Sequence, residues 1–96
     1  MKVNVTKSEK PEKRLKAVFE NKIVHFGQKG GSTYIDHNDN QIKSNWEARH
    51  KVREDWGKYN SAGALAKHLL WNKPTLKGSI QDLNSRQKQY KFVLGT

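Results

Sequence analysis

The chain contains no cysteine. That single absence removes disulfides, thiolate nucleophiles and thiolate-ligated zinc together, and it fits a reducing compartment. Long apolar runs are missing too: the longest, Ala62 to Trp71, is broken by Lys67 and is far shorter than the roughly 20 residues a membrane-spanning helix needs. The first residues, Met1-Lys2-Val3-Asn4-Val5-Thr6, lack the apolar core of a secretory signal. The expectation is a protein that is neither secreted nor inserted in a membrane, working inside the cell or packed into an intracellular assembly. Apolar residues are scarce at 33%, and mean hydropathy is −1.01. With 96 residues the chain has room for one domain, which would bury roughly 60–65% of its unfolded surface.

What is present in excess is positive charge. Nineteen Lys and Arg face nine Asp and Glu, for a net charge of +10 and a pI near 10.0. Residues 1–30 and 61–96 each carry a net +5, while residues 31–60 balance to zero. Such a surplus generates a field that attracts polyanions, either nucleic acid or an acidic membrane surface. The plainer reading is a solvating surface, since most of these residues are lysines.

No repeat or low-complexity segment interrupts the chain. Residues 1–12 read as a flexible basic arm, although the alternation of Val3 and Val5 permits a short edge strand. From Arg14 to Phe26 two runs rich in Val, Ile and Phe flank Asn21-Lys22, which predicts a β-hairpin. Thr33-Tyr34-Ile35 is a candidate third strand. A first helix is predicted from Asn40 to Trp56, capped by Asn38 or Asp39. Ile42, Trp46, Arg49, Arg53 and Trp56 share one of its faces. Ser61 would cap a second helix, Ala62 to Asn72, apolar nearly all round and therefore buried, with Lys67 and His68 as its main polar positions. Thr75 would cap a third, with Leu76, Ile80, Leu83 and Tyr90 in one stripe. The expected fold is α+β: an N-terminal hairpin followed by three helices, the last two paired in outline like a helix-turn-helix. The compact part would be residues 13–90, and the tail 91–96 is either a docking strand or disordered.

Four places can carry chemistry. The helix bearing Arg49, His50, Lys51 and Arg53, flanked by Trp46 and Trp56, offers bidentate phosphate contacts and a stacking surface. Its plainer reading is that the tryptophans are core, with the arginine stems packed over them. On the third helix Lys77, Gln81, Asn84 and Lys88 lie opposite the apolar stripe, as on any solvent face, and would meet a duplex together with Lys73. Gly27-Gln28-Lys29-Gly30-Gly31-Ser32 has the look of a phosphate loop but lacks its spacing and its helix; Lys29 alone would reach a phosphate. His37, Asp39 and His50 are candidate metal ligands of a small nuclease, against the plainer reading of a turn that caps a helix.

Several motifs then occur in a fixed order: His25-Phe26-Gly27, Gly31-Ser32, Tyr34, His37, Asp39, Arg49-His50, Glu54, Trp56, Ala62-Gly63-Ala64-Leu65, and Leu70-Trp71-Asn72-Lys73-Pro74-Thr75-Leu76. Together they resemble a family of short uncharacterised proteins encoded by nucleocytoplasmic large DNA viruses, over roughly residues 13–83. The resemblance implies a viral setting, in the particle or in the host cytoplasm or nucleus, and carries no activity. The leading expectation is a non-enzymatic, cofactor-free protein binding nucleic acid, DNA ahead of RNA. Its contacts would come from Lys29, Trp46, Arg49, His50, Lys51, Arg53, Lys67, Lys73, Lys77 and Lys88. The alternative is a virion structural or minor capsid protein binding other virion proteins, and the third a metal-dependent nuclease.

Overall fold

Alternation builds the sheet. On β1 (Lys2–Lys7) Val3 and Val5 are fully buried while Lys2 and Asn4 are exposed, the period-two pattern of a strand covered on one face. β2 (Lys13–Val18) buries Leu15 and Ala17, and β3 (Ile23–Gln28) buries Phe26. The computed structural model describes residues 2–52 and 54–95. Its sheet runs β3-β2-β1-β4, with β1–β2 and β2–β3 antiparallel. β4 (Lys91–Leu94) lies parallel to β1, Phe92 opposite Val3.

Residues 2–7 are thus not an arm. They form a strand hydrogen-bonded on both sides, because two fully buried valines outweigh the lysines that punctuate them. The C-terminal residues 91–94, left open between strand and disorder, take the strand. Phe92 is 1% exposed, and it packs edge-on to Phe19 with centroids 6.3 Å apart.

Thr33-Tyr34-Ile35 does not form a third strand. It opens α1 (Tyr34–His37), since the backbone N–H and the hydroxyl of Thr33 both donate to Asp36 Oδ2 (2.8 and 2.9 Å) and bend the chain into a turn. α2 (Asn40–His50) starts where expected, the Asp39 carboxylate accepting from the Gln41 and Ile42 amides. It stops at His50, well before Trp56. α3 (Ala62–Leu65) is capped by Ser61 and runs into a π turn, Ala66–Leu70, closed by the Trp71 amide on the Ala66 carbonyl at 3.1 Å. The wider turn draws His68, Leu69, Leu70 and Trp71 all into the interior, so His68 is not the polar position expected of it. α4 (Leu76–Arg86) is capped by Thr75. Its Asn84 does not face outward for a duplex: it accepts from the Phe92 amide and donates to the Phe92 carbonyl, each at 2.9 Å, and so holds β4.

The fold is α+β, with a mixed four-stranded sheet and the helices following the three N-terminal strands. α3 and the π turn pack on β3, and α4 packs on β4 and the π turn. The segment Trp71–Leu76 is the joint between them. Asn72 donates to Asp82 (2.7 Å), its carbonyl accepts from the Lys43 ammonium (2.7 Å), the Lys73 amide donates to Ser79 (2.9 Å), and the Pro74 carbonyl accepts from Asn38 (3.2 Å). Among the described residues, no helix is long and apolar enough to cross a membrane.

Candidate nucleic-acid interface

α2 presents Ile42, Trp46 and Arg49 along one side, as the helical period dictates. Trp46 does not act as an open stacking platform. It is 9% exposed, with Trp71 stacked at 4.8 Å, His50 at 4.3 Å and Trp56 parallel to it at 6.2 Å. Burying the indole this way satisfies the core, and it hands the surface position to the imidazole of His50.

His50 is fixed from its other side by Glu54. Its Nδ1 lies 3.1 Å from Glu54 Oε1, while the Trp56 indole N–H donates to Oε2 at 3.0 Å. A carboxylate oxygen accepts only, so the contact places a proton on Nδ1. Glu54 in turn lies against Gly63 of α3, where a Cβ would fall 2.7 Å from its Oε2. The glycine is what lets the helix approach.

Opposite α2, Gly27 stands next to last in β3, and its φ of +79° is left-handed and suited to glycine. A side chain there would meet Leu70 at 2.8 Å. The loop that follows, Lys29–Ser32, is then anchored at its far end. Arg14 forks onto Asp36 (2.6 and 2.8 Å) and donates to the Thr33 hydroxyl (3.2 Å). Hydrogen bonding from Arg14 holds the Asp36 carboxyl far below the usual carboxylate range. The loop, α2 and α3 border a half-open cleft of about 600 Å³ lined also by Ala66, Leu70 and Trp71, with Lys13, Arg49, His50 and Glu54 among its polar groups. Lys13 also borders an adjoining hollow shared with Lys7 and Lys29. Among the described residues, Lys7, Lys13, Lys29 and Arg49 have no carboxylate in ion-pair contact.

The expected contact residues divide by place. Arg49 and His50 line the cleft, and Lys29 lies beside it. Lys51 is exposed just past the end of α2; Lys73 and Lys77 are exposed at the start of α4; Lys88 is exposed beyond its end. Lys67 is not a free cation, since it pairs with Glu47 at 2.9 Å with a side chain only 14% exposed and lies over the Trp56 ring. Arg53 lies outside the described residues. Lys7 and Lys13 were missed, although the alternation of β2 puts Lys13 on the same face as Leu15. Lys43 was missed as well: its ammonium sits over Tyr34, and burial lowers its pKa.

The candidate metal ligands do not converge. His37 and Asp39 precede α2 and His50 ends it, about 15 Å away along the axis. The Asp39 carboxylate is used as the helix cap, and its amide donates to His37 Nδ1 at 2.9 Å. Among the described residues, no three His, Asp or Glu side chains are grouped to hold a metal ion.

Residues 3–50, from β1 to the end of α2, match a family described as "Family of unknown function (DUF5754)". An uncharacterized protein of Acanthamoeba polyphaga mimivirus is 34% identical over 80 residues, covering 72% of this chain and 80% of that relative. It supports the viral setting and the resemblance to short proteins of large DNA viruses. No solved structure matches the chain significantly. The half of the cleft made by the glycine loop and the Arg49–His50 turn lies within the matched segment, and the chain belongs to the DUF5754 family.

Proposed function

We propose that the protein binds nucleic acid, mainly through the phosphate backbone. The observation behind this is the cluster of ammonium and guanidinium groups without ion-pair partners, Lys7, Lys13, Lys29 and Arg49, around the cleft and its adjoining hollow. Other cations of the chain are neutralised locally: Arg14 by Asp36, Lys16 by Glu9, Lys67 by Glu47 and Arg86 by Asp82. Among the described residues, lysines elsewhere on the surface are also without ion pairs; what sets these four apart is that they border one cleft and the hollow beside it, and cations gathered at a concave surface suit a polyanion. The resemblance to proteins of large DNA viruses makes DNA the expected polymer.

Fluorescence anisotropy with a labelled duplex across a salt series tests this. Affinity should fall by about 0.9 decades per decade of salt for each phosphate neutralised. Replacing Lys7, Lys13, Lys29 and Arg49 by Gln should flatten that slope by about 0.9 for every contact removed. Absence of binding at low salt would refute the proposal. An unchanged slope in the fourfold variant would move the contacts elsewhere.

A further inference from the structure

We propose that the cleft between the glycine loop and α3 receives one unpaired nucleotide of a nucleic-acid strand, the base inside and its phosphate at Lys13 and Arg49. This rests on the nucleic-acid reading and gives it a strand preference. Size is the first argument. About 600 Å³ falls within the range of small-molecule sites and suits a nucleotide, whereas a base stacked in a duplex cannot enter unless it is flipped out.

The lining is the second argument. Exposed Ile42 and half-buried Ala66 give the cleft an apolar side, backed by buried Leu70 and Trp71, and Ala62 and Gly63 keep the α3 side slim. One ring face of His50 rests on Trp46 at 4.3 Å; among the described residues, no second ring lies on its other face. An imidazole pinned by Trp46 behind it and Glu54 beside it is a rigid platform for a base, ordered before the ligand arrives. The side chains of Gln28 and Ser32 also border the cleft and make no hydrogen bond to any described residue, leaving an amide and a hydroxyl for a base edge.

Charge complementarity is the third. Lys13 stands on β2 and Arg49 on α2, so the two unpaired cations reach the same opening from different elements. A strand whose base enters the cleft would carry its backbone past both, and on toward Lys7 and Lys29 in the adjoining hollow.

The test fills the cleft without touching its cations. Ala62→Trp and, separately, Ser32→Trp each place an indole at an exposed residue of the cleft wall. Folding is checked by circular dichroism, and two variants on different elements guard against one failing to fold. Binding of an oligothymidylate and of a duplex of equal length is measured at one low salt concentration. The expected result is a loss of about tenfold or more in single-strand affinity, with duplex affinity unchanged. A thymidine monophosphate titration should also shift the amide resonances of residues 31–33 and 62–66 in the parent and not in the filled variants. If the filled variants bind single strands as well as the parent, or weaken both polymers equally, the cleft proposal is overturned and phosphate-backbone binding stands. If neither polymer binds the parent, both readings fall.

Discussion

Gly27 concentrates two demands in one residue: a left-handed backbone and a hydrogen where any other amino acid has a Cβ. Gly27→Ala would face a cost of about 1–2 kcal/mol for the backbone alone, and the new methyl would press on buried Leu70, adding a cost of about 1–3 kcal/mol. The expected loss is therefore more than 2 kcal/mol by roughly additive reckoning, read by urea denaturation; Gly30→Ala, with open space around it, is the control that loses only the backbone part. Asp36 makes a second prediction at this scale. Its folded carboxyl titrates below its unfolded one, so its contribution is complete above about pH 4 and is lost as pH falls below that. Asp36→Asn should lower stability at neutral pH by about 1 kcal/mol through the damaged cap. It should also show a shallower fall in Tm between pH 5 and 2 than the parent. Parallel acid limbs would contradict the assignment.

At the scale of elements, the caps were legible and the strand ends were not. Asp39, Ser61 and Thr75 announce α2, α3 and α4 because a short oxygen side chain before an apolar run has few other uses. β1 was obscured because a strand of six residues with two buried side chains carries the same alternation as a solvated arm, and only its partner β4, far along the chain, decides between them. The cleft was half legible. Arg49 and His50 stood out by type, but its other wall comes from Lys13 and the glycine loop, joined to them only through tertiary packing. The π turn was not legible, yet it has a testable consequence. It carries His68 inward, where Nε2 contacts the Trp56 carbonyl at 2.8 Å and Nδ1 faces Arg86 at 3.2 Å. Burial depresses the His68 pKa. Stability from the neutral ring is therefore complete above about pH 6.5 and drains as pH falls through the range below it. His68→Gln should flatten the stability profile between pH 7 and 5, measured by chemical denaturation. For β4, Phe92→Ala should cost about 3–5 kcal/mol, a large share of the roughly 5–14 kcal/mol a domain of this length possesses.

For the whole molecule the ruling quantities are a +10 charge and extents of 35 × 30 × 24 Å. At about 0.01 M salt the screening length of about 30 Å matches the molecule, so its cations repel one another across its full width; at about 0.1 M it shrinks to about 10 Å and they do not. Salt should therefore raise the Tm over this interval while weakening nucleic-acid binding, two opposite responses from one cause. A Tm that falls with added salt would show that the ion pairs outweigh the repulsion. The pairing of β1 with β4 has a consequence of another kind. β1 is flanked on one side by β4, so a chain emerging from the ribosome holds Val3 and Val5 with an open edge until residues 91–94 have been synthesised. Closure of the sheet is a late, long-range event, and a product cut short before Phe92 would present that edge to its neighbours as a template for aggregation.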